Sequence, residues 1–231
     1  MFEAFDRRNE GLASFWIAAG VRMTTQHDGK AALRLAVTQQ WLVAAERLID
    51  NGAKADDDNE TLLLQAVREG ASAELVEMLI VSLNEDLDAV ENGMGQTALH
   101  LAVSLNRVDL VKLLIEYKGL NGMMEIQDEQ GFRPLHSAVK SSRLIIDLLL
   151  GGGADLNSRT RSGMTALHVA VIENKGSVVE LLLESGADPS VKDYHGHTPL
   201  DYAKPHPDLE KMLKNYLGTR RYRVGCVHGS L

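Results

Sequence analysis

Three histidines come first among the residues whose type and spacing invite chemistry. His100, His136 and His168 stand 36 and 32 residues apart, inside "GQTALHLAV" (Gly95 to Val103), "GFRPLHSAV" (Gly131 to Val139) and "GMTALHVAV" (Gly163 to Val171). Histidine titrates nearest neutral pH, so it can act as an acid, a base or a metal ligand. A catalytic group needs its partner within hydrogen-bond reach. Residues repeated once per helical unit stand about 10 Å apart, the packing distance of helices, which argues against a shared site. The cluster "HGH", His195 and His197, with His206 nearby, lacks the Cys or second spaced His pair of a zinc pattern. Asp56, Asp57 and Asp58 resemble half of a calcium loop, but its spacing and closing glutamate are missing. No nucleophile elbow, phosphate-binding loop or dinucleotide glycine pattern occurs. "GGGAD" (Gly151 to Asp155) follows a helical pattern rather than a strand and reads as a helix stop. No enzymatic activity, metal or cofactor is expected.

What must position these histidines is a repeat. Aligned on the threonine of the nine-letter block or its replacement, the copies have their anchors at Ala31, Thr61, Thr97, Arg133, Thr165 and Thr198. The spacings of 30, 36, 36, 32 and 33 indicate a solenoid of small helical units. Thr165 suits a helix N-cap, and Pro134 and Pro199 sit where proline favours a helix start. Leu167, Ala170 and Val171 share one face of a short helix. A turn, "ENKGS", leads to a second helix, "VVELLLES" (Val178 to Ser185), and Gly186 is placed to end it. The second helix recurs at Val43, Leu75, Leu110, Leu144 and Leu209. Each is too short to be stable alone, so stacking must supply the stability.

Composition agrees. Aromatic residues make up 5% of 231 and apolar residues 45%, with leucine and alanine prominent, which favours helix over sheet. The formal charge of −8 falls on the first half: residues 1–120 hold 11 basic and 19 acidic side chains, residues 121–231 hold 13 of each. An acidic body is a poor nucleic-acid binder, and the one basic cluster is Arg220, Arg221 and Arg223. No run of about 18 apolar residues occurs, so no membrane span is expected. A single cysteine, Cys226, fits a reducing compartment. The expected location is intracellular, cytoplasmic or nuclear.

The pattern resembles the ankyrin repeat family, whose Thr-Pro-Leu-His-x-Ala, Leu-Leu-Leu and Gly-Ala-Asp motifs are matched by residues 163–189 and, less fully, by 95–119 and 131–158. The resemblance covers roughly residues 29–217. It implies an all-α solenoid of about six helix-turn-helix units with projecting hairpin-like loops, preceded by a half-unit. The expected organisation is an N-terminal capping half-repeat at 1–28 (with "ASFWIAAG", Ala13 to Gly20) and degenerate repeats at 29–58 and 59–92. Repeats at 93–129, 130–160 and 161–192 follow, then a capping repeat at 193–217 and a flexible basic tail at 218–231. Asp208 is expected to cap the last helix. The turn "KSSR" (Lys140 to Arg143) lacks one residue.

The resemblance also implies structural roles for the motif residues Thr97, His100, Pro134, His136, Thr165, His168, Thr198 and Pro199. It implies a concave surface, made of loop tips and the exposed side of each first helix, that binds partner proteins. The matching loop residues are Met94, Gln96, Glu129, Gln130, Phe132, Arg161, Met164, Tyr194 and His195. The matching helix residues are Arg68, Glu69, Ser104, Leu105, Lys140, Ser141, Ile172 and Glu173. Residues such as Glu180 and Glu184, on the opposite side, are expected to be neutral. The expected function is a monomeric, non-catalytic scaffold for one or more proteins. The alternatives are a domain of a larger enzyme or effector, a catalytic site built on the repeats, and nucleic-acid binding by the basic tail.

Overall fold

The computed structural model describes residues 26–53, 61–83, 93–117 and 123–225, and these are helices joined by turns and loops, with no strand among them. The chain divides into two compact units, residues 1–123 and 124–231. The half-unit at 1–28, apart from its last residues, lies outside the described residues, as do residues 54–60, 84–92, 118–122 and 226–231.

In the first unit, α1 (Gln26–Thr38) pairs with α2 (Leu42–Asp50), α3 (Leu62–Arg68) with α4 (Ala73–Leu83), and α5 (Ala98–Ser104) with α6 (Val108–Glu116). The first helices of the pairs stack on one another, and so do the second helices. In the second unit the pairs are α7 (Pro134–Ala138) with α8 (Arg143–Gly151), α9 (Ala166–Ile172) with α10 (Gly176–Glu184), and α11 (Pro199–Tyr202) with α12 (Pro207–Gly225).

The two kinds of helix differ because their surroundings differ. A first helix is covered on several sides, so little of it faces solvent: in α9 every residue from Ala166 to Val171, His168 included, is buried. A second helix buries one stripe with a fixed spacing. The stripe is Ala44, Ala45 and Leu48 in α2, Leu75, Val76 and Leu79 in α4, Leu110, Val111 and Leu114 in α6, and Ile145, Ile146 and Leu149 in α8.

The turns explain the recurring small residues. Gln40, Gly70, Asn106 and Asn174 end the first helices in the left-handed region, with φ of 58°, 80°, 54° and 53°. The following N–H in each case closes back on a helix carbonyl, as Lys175 does on Ala170 at 2.9 Å. Gly52, Gly153 and Gly186 end second helices the same way, with φ of 86°, 94° and 101°, and the N–H of Ala53, Ala154 or Ala187 closes the turn. The residue missing from "KSSR" is this left-handed one. The chain there tightens instead, with Lys140 N–H reaching Ser137 and Ser141 N–H reaching Ala138, and α7 is only five residues long.

Three expectations need correction. The anchor Ala31 is not a helix start, because α1 is already helical at Gln26; alanine has no hydroxyl to cap and favours helix. Asp208 does not cap the last helix. It lies inside the first turn of α12, after Pro207, where its charge faces the helix dipole. Of the expected tail at 218–231, residues 218–225 belong to α12, which runs to Gly225: the segment lacks the repeat pattern but holds no proline, and Gly218 inside a helix costs only about 1 kcal/mol.

Candidate interaction surface

The motif histidines are built into the backbone. In the second unit His136 is 1% exposed and His168 0%. Arg133 N–H donates to His136 Nδ1 at 3.2 Å, and Thr165 N–H donates to His168 Nδ1 at 3.1 Å. A backbone N–H can only donate, so Nδ1 is the bare nitrogen and the proton sits on Nε2. From there His136 donates to the carbonyls of Ser158 and Met164, each at 3.2 Å, and His168 to that of His197, also at 3.2 Å. Each imidazole therefore ties the start of its own helix to the next loop. Burial is the main cause that pushes His136 down to about 4, and it lowers His168 as well. In the first unit Thr97 and His100 form the same local box: Thr97 N–H reaches Nδ1 at 3.3 Å and His100 N–H reaches the threonine hydroxyl at 3.4 Å.

In the final pair Asp201 replaces histidine. It accepts from the Thr198 N–H at 2.9 Å and from its hydroxyl at 2.8 Å. A carboxylate needs no further acceptor, whereas a histidine here would present an Nε2 proton, and no described loop follows to receive it. These bonds lower the Asp201 pKa. Pro134 and Pro199 are buried at the first positions of α7 and α11.

The loops of the second unit alternate strictly. Asp128, Thr160 and Asp193 are buried, while their neighbours on either side, Gln127 and Glu129, Arg159 and Arg161, Lys192 and Tyr194, are exposed. The inward side chains hold their own loops. Asp128 accepts from Gln130 and Phe132 N–H at 2.9 and 2.8 Å, Thr160 from Met164 N–H at 3.1 Å, and Asp193 from His195 and His197 N–H, both at 2.9 Å. Asp193 also accepts from the Tyr202 hydroxyl at 2.6 Å. Burial opposes its ionisation, but these bonds outweigh burial and bring it down to about 2, while the same contact pushes Tyr202 up to about 12. Sequence reasoning missed this row. Its signal was a polar acceptor five residues before each of the anchors Arg133, Thr165 and Thr198.

The anticipated binding residues separate by unit. In the first unit Met94 is 59% exposed and Leu105, the residue that ends α5, 46%. Gln96 is half-buried, Ser104 bonds back to the Leu101 carbonyl, and Arg68 and Glu69 are exposed at the end of α3. In the second unit Tyr194 is 69% and Ile172 43% exposed. Glu129, Gln130 and His195 are exposed, and Met164 is half-buried. Phe132 is also half-buried, edge-on to His136 with ring centres 5.8 Å apart. Ser141 is half-buried in the tightened turn. Lys140 and Glu173 pair with each other at 3.0 Å, joining the ends of α7 and α9. Arg161 donates to the Glu129 carbonyl.

Two glycines fix the loop spacing. A Cβ on Gly131 would fall 2.5 Å from the Arg161 nitrogen, and one on Gly163 would fall 2.8 Å from the Tyr194 nitrogen. Their φ values of 80° and 82° would strain any other residue as well. Among the described residues no group of three or more His, Cys, Asp or Glu side chains is arranged to hold a metal ion. No described helix is long and apolar enough to cross a membrane.

Family models for ankyrin repeats match the chain twice: one for three copies over residues 63–160, and one for many copies over 148–203. An ankyrin repeat protein of Rickettsia bellii (strain RML369-C) is 35% identical over 133 residues, covering 55% of this chain and 72% of that protein. B-cell lymphoma 3 protein of Homo sapiens is 39% identical over 165 residues, 68% of this chain and 35% of that protein. E3 ubiquitin-protein ligase KEG of Arabidopsis thaliana is 27% identical over 239 residues, 94% of this chain but only 14% of that protein. The chain thus spans a minor part of the two longer relatives.

Proposed function

Because the chain belongs to the ankyrin repeat family, whose repeats are protein-binding modules, we propose that it is a non-catalytic, intracellular and monomeric scaffold that recognises a partner protein through its loops and the ends of its first helices. The observation that carries this reading is that four large apolar side chains stand in solvent on loops or at the ends of first helices; Val43, Val81 and Leu144 are also exposed, on the second helices α2, α4 and α8. Tyr194 on a loop and Ile172 at the end of α9 are exposed in the second unit, and Met94 before α5 and Leu105 at its end are exposed in the first. In the second unit the frame beneath them is cross-linked: buried histidines bind loop to helix, and glycines set adjoining loops in contact. A rigid surface loses little entropy on docking, and exposed apolar anchors commonly carry most of the binding energy.

The test is quantitative affinity purification from the native cell with the intact chain and with Phe132→Ala combined with Ile172→Ala. The proposal expects one or more proteins to be enriched by the intact chain and lost with the double variant. Equal recovery with both would refute it. A second reading, in which the repeats serve an activity located elsewhere in a longer protein, draws on the alignment of 94% of the chain to 14% of a ubiquitin ligase. That reading expects the recovered proteins to be substrates or regulators of such an activity.

A further inference from the structure

The loops of the second unit hold their acids and their bases differently, although residues 121–231 as a whole are balanced: the carboxylates stay ionised but mostly accept from the protein's own groups, while several cations keep donors free. The acidic groups of these loops are largely engaged within the protein. Asp128 and Asp193 are buried on their own loop amides. Asp155 and Asp188 accept from the N–H of Asn157 and Ser190 at 2.9 and 3.0 Å. Glu125 pairs with Arg133 at 2.9 Å. The cations Arg159, Arg161 and Lys192 are different. Each is exposed, and none has a carboxylate within ion-pair distance among the described residues.

Their positions are ordered. The alternation of the loops puts Arg159 and Arg161 on one outward side, and Lys192 and Tyr194 on the same side of the next loop. One row is tied together through backbone: the Gln127 amide donates to the Arg159 carbonyl at 3.0 Å, and the Arg159 guanidinium donates to the Lys192 carbonyl at 2.8 Å. In the other row Arg161 rests on Gly131, and Tyr194 rests on Gly163 in the same manner. The result is a fixed grid with three cations, one aromatic ring and one exposed carboxylate, Glu129. The guanidinium of Arg159 gives one N–H to the Lys192 carbonyl and that of Arg161 one to the Glu129 carbonyl, which leaves donors in reserve for a carboxylate.

We infer that this grid selects an acidic, extended peptide segment of the partner protein. The inference rests on the binding function proposed above and adds the chemistry of the partner. Stacked helix pairs stand about 10 Å apart, a distance an extended chain covers in about three residues. The segment that fits has Asp or Glu at every third position, with the Tyr194 ring as an apolar contact beside them. Such pairs are solvent-exposed, so they favour encounter and choice of partner, and salt weakens them.

The test uses fluorescence anisotropy at low salt with labelled twelve-residue Gly/Ser peptides carrying Glu, Gln or Lys at every third position, and an oligothymidine of the same charge as the Glu peptide. The Glu peptide is expected to bind at least fivefold more tightly than the Gln peptide, and Lys192→Gln to weaken it at least threefold. The triple variant Arg159→Glu, Arg161→Glu, Lys192→Glu should exchange the preference to the Lys peptide. If that variant fails to fold, Lys192→Gln decides alone, because the Lys192 ammonium makes no ion pair among the described residues. Equal binding of Glu and Gln peptides, or no effect of Lys192→Gln, would overturn the inference. Oligothymidine binding as tightly as the Glu peptide would overturn it too, in favour of phosphate recognition. If Phe132→Ala with Ile172→Ala abolishes partner recovery while Lys192→Gln leaves the Glu peptide unaffected, only the acidic preference fails.

Discussion

At the scale of single residues, the motif histidine acts as a two-sided connector, and its protonation follows from that. His136 accepts on Nδ1 and donates from Nε2, both to backbone. A second proton would set donor against donor in a buried place. The unfolded chain takes up that proton near pH 6.5, the folded protein only near pH 4. Acidification therefore favours unfolding: stability is full above about 6.5, falls between 6.5 and about 4, and levels off below. The loss through this group amounts to about 3 kcal/mol. Asp193 adds a lower window, because its folded value near 2 lies below the ordinary carboxylate value of 3.8, so its stabilisation is lost between those values. Urea unfolding at pH 7.5 and 4.5 measures the first window. His136→Gln, which keeps an acceptor and a donor without titrating, should narrow the difference, and an unchanged difference would remove His136 as its cause. The sequence alone exposed the histidine, its period and its lack of a catalytic companion. It did not expose the acceptors of the Nε2 proton, the carbonyls of Ser158, Met164 and His197, 22 to 29 residues further on.

At the scale of elements, the helix pairs were legible because their pattern is local. Apolar spacing, threonine or proline at the start and Gly-Ala at the end all act within a few residues. The ends of the array were less legible. The pattern that marks a repeat also marks burial by a neighbour, so its loss at residue 218 looked like loss of structure, although α12 continues to Gly225. The first-helix turns offer a direct check. Gln40 holds φ of 58°, a place where glycine or asparagine stands in the other complete turns. A side chain there costs about 1 kcal/mol, and the Gln40 amide contact with the Glu69 carbonyl is exposed and long, at 3.4 Å. Gln40→Gly is expected to raise stability by about 0.5–1 kcal/mol in denaturant titration. A loss of similar size would mean that this amide contact outweighs the backbone strain.

At the scale of the whole molecule, stability and binding are distributed unevenly along the chain. Repeat arrays add the stability of each unit to that of its contacts. The pair α9–α10 has a threonine–histidine box, a left-handed asparagine and a glycine stop. The pair α1–α2 has alanine at its anchor, glutamine in the left-handed turn and small Ala44 and Ala45 in its core stripe. Amide exchange is therefore expected to be slower in Val178 to Leu183 than in residues 31–50, and equal protection would contradict the link between motif quality and stability. The binding face was legible in the sequence only as a set of positions. Which of them are engaged inside the protein, as Lys140 is with Glu173 and Arg161 with Glu129, depends on contacts about one repeat apart. Isothermal titration of a purified partner tests the account most directly. Phe132→Ala with Ile172→Ala should weaken binding at least tenfold, equivalent to about 1.4 kcal/mol or more, while Glu180→Ala with Glu184→Ala on α10 should leave it unchanged. If the glutamate pair is the more damaging, the partner instead occupies the outer groove lined by Leu183, Met212 and Tyr216, and the proposed binding face is wrong.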